Sequence, residues 1–152
     1  MKMTRWLLAT ACVGVSCCAL AQGRFSFGAD GAEVTDSQTG LIWRRCSVGQ
    51  VWGGGTCTGT ISTFTHELAL AYAQSQTGWR LPNVKELSSI ADKTRIYPAI
   101  DSTAFPTTIS SIYWSSSPNV TGSISAWGVD FTGSGVPGGH SRVSNYPVRL
   151  VR

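Results

Sequence analysis

The sequence predicts an α+β domain, with two short helices packed on antiparallel strands and one disulfide. Three observations carry this. Apolar residues recur at helical spacing in two early segments, first Phe64, Leu68, Ala71 and Tyr72, then Val84, Leu87, Ile90 and Ala91. Strand-like alternation replaces it late, in Trp127, Val129 and Phe131. Cys46 and Cys57 are the only cysteines beyond residue 21, an even count that favours a bond in an exported chain. At 152 residues and 42% apolar, the chain suits one domain with a core of its own.

Export is read from residues 1–21. A basic start (Lys2, Arg5) precedes an apolar run from Trp6 to Leu20, and Ala19-Leu20-Ala21 makes a small-x-small exit. This is the pattern of a secretory signal peptide cleaved after Ala21, too short for a membrane span. The rival reading is lipid attachment at Cys17 or Cys18. The expected location is periplasm, cell surface or medium, with no transmembrane segment after cleavage. Lys2 and Arg5 leave with the leader, so twelve basic residues become ten against eight acidic ones, and the net charge falls from +4 to +2. So small a bulk charge is no nucleic-acid footprint; binding a polyanion would need a local arginine cluster.

The mature chain reads as follows. Residues 22–33 are a loose lead-in, and the domain proper runs over 34–152. Asp36-Ser37-Gln38-Thr39-Gly40 is a turn ahead of the strand Leu41-Ile42-Trp43. Cys46 to Ile61 is a Gly/Thr-rich loop without a period, clamped by the disulfide at roughly 3 kcal/mol on the chain-entropy model. The first helix follows, with Thr63 as N-cap, Glu67 in its first turn and Gly78 beyond its end. In Trp79-Arg80-Leu81-Pro82-Asn83-Val84-Lys85-Glu86-Leu87, Asn83 and Glu86 form a capping box for a second helix ending near Asp92. Residues 93–112, with Pro98 and Pro106, are an ordered loop. Strand-like runs follow at Tyr113–Ser117 and Ala126–Phe131, then a turn-rich loop from Gly133 to Gly139 and a last strand over Tyr146–Arg152.

Four phrases, in order, resemble one family: Asp36-x-x-Thr39-Gly40-Leu41-x-Trp43, Gly78-Trp79-Arg80-Leu81-Pro82-x-x-x-Glu86-Leu87, Tyr113-Trp114-Ser115-Ser116 and Val148-Arg149-x-Val151-Arg152. They are similar to the DUF1566 or Lcl C-terminal domain, named after a collagen-like adhesin. The resemblance covers about Val34 to Arg152. It implies a C-type-lectin-like fold and a role in adhesion, with sulfated glycosaminoglycan binding in the best-studied relative. No collagen-like stalk is present here. The Trp79–Glu86 phrase also resembles formylglycine-generating enzymes, but those depend on cysteines in their C-terminal half, and none follows Cys57. Calcium-dependent lectins use a Trp-Asn-Asp phrase; Trp114-Ser115-Ser116 offers hydroxyls instead, poor ligands for a hard cation.

Candidate binding residues are Trp52, His140, Arg142, Arg44 and Arg45. Trp52 lies in the disulfide loop, where an exposed ring could stack on a sugar face; its structural role would be to plug the loop onto the domain. His140 and Arg142 read as part of a loop between two late strands, where recognition residues are often carried. An arginine fork suits sulfate or carboxylate, and Arg142, Arg44 and Arg45 would matter most as one patch. Trp79 and Leu81 are expected to face the core, with Arg80 paired to an acid such as Glu86 or Asp130. His66 reads as a solvated residue of a helix first turn. No cofactor or metal site is expected, because neither histidine has ligands at metal spacing. Catalysis is not expected either: Ser134 lacks a nucleophile-elbow context, and only a convergence of Asp101 and Asp130 would suggest a hydrolase. The sequence thus points to an exported, non-catalytic module binding a polysaccharide, with an envelope-protein interaction domain as the alternative and a small hydrolase as a remote one.

Overall fold

The two ends of the described chain meet in one sheet. In the computed structural model, which describes residues 23–152, strands β1 (Phe25–Phe27), β2 (Glu33–Asp36) and β3 (Ile42–Arg44) pair antiparallel in that order. The outer edge of β3 is closed by the C-terminal residues: Ile42 N–H donates to Arg152 O at 3.0 Å, and Arg152 N–H returns to Ile42 O at 2.9 Å. The leader and the lipid-cysteine alternative lie outside the described residues.

The supposed lead-in is built into this sheet. Phe25–Phe27 pairs with Val34–Asp36, and Arg24 grips the buried Asp36 carboxylate with two bonds of 2.8 and 2.7 Å. Asp36 also accepts from Gln38 N–H and Thr39 Oγ1, so one carboxylate shapes the turn and anchors the strand before it. Gly40 closes the turn at φ +72°, a conformation side chains resist. Although burial opposes it, the Arg24 bond and the turn donors hold the Asp36 carboxyl below its ordinary pKa.

The segment from Cys46 to Ile61 is not an unpatterned loop. It contains a hairpin, β4 (Val51–Gly53) with β5 (Thr56–Thr58), which places Trp52 opposite Cys57. The Cys46–Cys57 disulfide is present and ties the hairpin back to the end of β3, with Cα atoms 5.5 Å apart. The hairpin lacks an alternating sequence signal because most of it stands in solvent and buries only Cys57.

Helix α1 runs over His66–Gln74, with Thr65 rather than Thr63 as N-cap; Thr63–Phe64 is instead a short strand, β6. The buried face is His66, Ala69 and Ala73, while Leu68 is 57% exposed. Small residues let this helix approach closely, with Leu70 and Tyr72 packed half-buried against the core beside them and Leu68 turned out. Helix α2 (Val84–Ser89) has the capping box read from sequence: Glu86 N–H donates to Asn83 Oδ1 at 2.9 Å and Asn83 N–H to Glu86 Oε2 at 2.8 Å. It stops sooner than read, with Ile90 as C-cap.

Strands β7 (Ile112–Pro118), β8 (Ser125–Asp130) and β9 (Val136–Ser141) form a second antiparallel sheet, in that order. Much of the stretch read as a Gly-rich loop is therefore the edge strand β9. Its glycines and Pro137 masked it, being poor strand formers tolerated at an edge. β10 (Tyr146–Pro147) pairs with β6.

Two apolar clusters fill the interior. One gathers Trp43, Leu87, Ile90, Phe105, Tyr113 and Phe131; the other gathers Leu81, Trp114, Val148 and Leu150 with the alanines of α1. At about 1.5–3 kcal/mol per large side chain, these are the main driving force for folding. Arg149 passes through this interior at 1% exposure. Its fork donates to the Arg44 and Arg45 carbonyls, to Ser47 Oγ at 3.3 Å and to Thr108 Oγ1 at 2.7 Å. Its guanidinium also lies over Phe105, 4.8 Å from the ring centre. Burial lowers its pKa to about 10, so it remains a cation at neutral pH.

Candidate functional site: a cleft under the disulfide hairpin

A cleft of about 540 Å³ opens where the hairpin, the β2–β3 sheet and α1 meet. Trp52, Arg44, Asp30, Glu33, Gln50 and Tyr72 line it. The hairpin brings Trp52, β3 brings Arg44, and α1 brings Tyr72.

Trp52 is half-buried and pinned. Its ring lies on the Arg45 guanidinium at 3.9 Å, and a Cβ on Gly31 (φ +74°) would come within 2.9 Å of its Nε1. Only glycine suits that spot, for both backbone and space. The plugging role considered for Trp52 is thus realised, with part of the indole left at the cleft wall. Arg45 beneath it is buried and donates to the carbonyls of Gly31 (2.8 Å), Thr103 (2.7 Å) and Ala104 (3.0 Å). Burial lowers its pKa.

Arg44 is exposed and takes part in no ion pair among the described residues. Its guanidinium lies 4.8 Å from the centre of the Trp79 ring, as does that of Arg152. Arg152 also pairs with Glu33 at 2.6 Å, and Glu33 is the cross-strand partner of Arg44. Cation–π contact thus keeps Arg44 extended along the surface instead of folded onto the neighbouring acid. Trp79 packs half-buried against the core cluster and offers its ring to both arginines, and Leu81 is buried as expected. Arg80 makes a two-pronged pair with Glu86, both bonds 2.7 Å.

The structure splits the expected arginine patch. Trp52 and Arg44 line the cleft and Arg45 is buried behind the Trp52 ring, outside the lining, while His140 and Arg142 do not line it either. His140 lies on β9 rather than in a loop, half-buried, with its ring centre 6.4 Å from Trp114 and 5.7 Å from Tyr146. Arg142 donates from Nε to Ser125 O at 3.0 Å, and its own carbonyl accepts from His66 N–H at 3.0 Å. Tyr72, Gln50, Asp30 and Glu33 were not singled out from sequence. Tyr72 looked like core because of its helical spacing, and the other three are ordinary surface types until the fold joins them.

His66 is not solvated. It is 2% exposed, its Nε2 lies 3.0 Å from Ser115 O, and its ring meets Trp114 edge-on at 5.1 Å. Burial pulls its pKa below the ordinary 6.5, aided by the Arg142 charge and opposed by the Ser115 bond. Burial lowers His140 in the same direction, against the pull of Asp130. A folded-state pKa below the unfolded one means that the unfolded chain binds more protons as pH drops. Stability is therefore expected to be full above about pH 6.5 and to decline as pH falls through the histidine range. Urea midpoints at pH 7.5 and 5.5 should show the decline, and it should shrink in His140→Phe; an unchanged slope in that variant would count against this origin.

Asp101 and Asp130 each serve their own turn: Asp101 accepts from the N–H groups of Thr103 and Ala104, and Asp130 from the N–H and hydroxyl of Thr132. Among the described residues no group of three or more His, Cys, Asp or Glu could hold a metal, and no helix is long and apolar enough to cross a membrane.

In comparisons with known proteins, the family model of the Lcl C-terminal domain matches residues 32–152. No curated protein and no solved structure matches. The match spans both helices and every strand but β1, and the four phrases that carry the resemblance fall inside it: the chain belongs to the Lcl C-terminal domain family.

Proposed function

We propose that this protein is an exported, non-catalytic adhesin-like module with a C-type-lectin-like scaffold, and that the cleft under the disulfide hairpin recognises a polysaccharide carrying anionic groups. One observation carries the reading. Arg44, free of ion pairs among the described residues, stands at a cleft walled by Trp52, while Arg45 and Arg149 sit behind it with only carbonyl and hydroxyl partners. Two acids, Asp30 and Glu33, also line the cleft, and Glu33 is already paired with Arg152; set against them, three guanidiniums without a bonded carboxylate leave the cleft and its backing net positive, a bias toward anions. Trp52 and Tyr72 offer rings for sugar faces, and Arg44 a fork for sulfate or carboxylate. Family membership and the pairing of the C-terminal residues with β3 support the scaffold; the basic-apolar-small pattern of residues 1–21 supports export.

Heparin fragments and uncharged dextran, titrated at low and high salt, test the reading. Heparin is expected to bind at low salt and weaken as salt is added. Trp52→Ala and Arg44→Glu should each cost about tenfold in affinity, the loss of one good contact. Absence of binding to either glycan at low salt, or indifference to both substitutions, would overturn it. A second reading, a protein-interaction domain of a bacterial envelope assembly, is favoured by a separate groove beside α2.

A further inference from the structure

Sharing no lining residue with the cleft, α2 and the edge strand β9 enclose a groove of about 400 Å³. Its floor is aliphatic: Val84 from the helix, Val136 (49% exposed) and Pro137 from the strand. Lys85 and Lys93 stand over it, both exposed and neither in an ion pair among the described residues. The nearby acids are already engaged, Glu86 by Arg80 at 2.7 Å and Asp92 by Arg95 at 2.9 Å. Ser88 contributes to the lining, although its Oγ is itself buried and has no hydrogen-bond partner.

The walls are fixed with respect to each other. Gly135 has φ +66°, and a Cβ there would run into the Ala91 side chain, so the turn before β9 is pressed against the end of α2. Such a groove forms without a ligand, which lowers the ordering cost of binding.

We propose that this groove docks an extended, acidic peptide segment of a partner protein, which sets an apolar side chain on Val84, Val136 and Pro137 and its carboxylates on Lys85 and Lys93. This rests on the interaction-domain reading and needs nothing from the cleft. Charge complementarity selects an acidic occupant, since both cations are unpaired and no carboxylate lines the groove. A sugar chain fits poorly, because no aromatic ring lines it. A membrane surface fits poorly too: anionic bilayers are held by clusters of about four to eight basic residues, and two stand here. Pro137 lacks an N–H and blunts the outer edge of β9, so side chains rather than strand addition would dominate the contact.

The test uses the full mature chain and a fluorescently labelled peptide of alternating Glu and Leu, with anisotropy as readout. Saturable binding that weakens with salt is expected. The double variant Lys85→Glu/Lys93→Glu should weaken it at least about tenfold. The same variant should gain affinity for a Lys-Leu version of the peptide. Both lysines are exposed, so the fold is not at risk. Arg44→Glu should leave peptide binding unchanged, which separates failure of the groove from failure of the cleft. No saturable binding, binding unmoved by the double variant, or binding lost in Arg44→Glu would overturn the proposal. So would capture by phosphatidylglycerol vesicles with none by the peptide.

Discussion

Arg149→Ala is expected to destabilise the domain by about 3–5 kcal/mol, the largest loss of any single substitution considered. The residue is 1% exposed and its fork serves the Arg44 and Arg45 carbonyls and the Ser47 and Thr108 hydroxyls. Truncation leaves these acceptors buried, each at about 1–3 kcal/mol if nothing replaces the donor. It also opens a void beside Phe105 and Tyr113. Arg149→Lys keeps a charge but not a planar fork, so about half the loss should remain. Urea unfolding monitored by tryptophan fluorescence gives both numbers. The informative control is Arg149→Met, which fills space without donating. A wild-type midpoint in that variant would show that the interior needs volume here and not a donor. Two of the acceptors are the carbonyls of β3's last residue and its neighbour, so Arg149→Lys should also weaken heparin at the cleft by displacing Arg44.

The second large effect concerns the disulfide. Cys46→Ala with Cys57→Ala should cost about 3 kcal/mol, the loop-entropy value for a short closed loop. The bond holds a hairpin that buries little else: Val51 is exposed, and Trp52 touches the body of the domain through Arg45 and the Gly31 position. Without the bond the hairpin should detach before the rest of the domain unfolds, because its remaining contacts are few. Heparin affinity should then fall at least about tenfold with the wall that Trp52 and Gln50 provide. Hydrogen exchange should show early loss of protection over 51–58 with the two sheets still protected. Retained affinity in the double variant would mean that Arg44 binds the glycan without the hairpin, and the cleft would shrink to its β3 side.

The features legible in the sequence are those built by residues a few positions apart. The Asn83–Glu86 capping box is a local exchange of two hydrogen bonds, and the residue types at that spacing announce it. The Asp36–Gly40 turn is similar, with a carboxylate serving donors two and three residues on and a glycine in the left-handed region. Cys46 and Cys57 could be paired because no other cysteine lies beyond residue 21. Errors arose where local signals competed with distant partners. Thr63 looked like a cap, but its pairing with Pro147, far along the chain, made it a strand and passed the capping role to Thr65. Val136–Ser141 looked like a turn because of its glycines, yet pairing with β8 sufficed to make it a strand.

The site divides the same way. That Trp52 and Arg44 belong to recognition could be proposed from residue chemistry alone, as could Arg80's service to Glu86. That Arg142 stands apart from them, that His66 is buried against Trp114, and that Arg149 braces the strand carrying Arg44 depend on contacts between residues 17 to 105 positions apart. Order along the chain determined the α2 cap, the Asp36 turn, the covalent bridge and family membership, because each is specified by side chains within a short reach of one another. Exposure and neighbourhood were decided only when the sheets and helices closed together, because a side chain's solvent and charge environment is set by whatever distant segment lands on it.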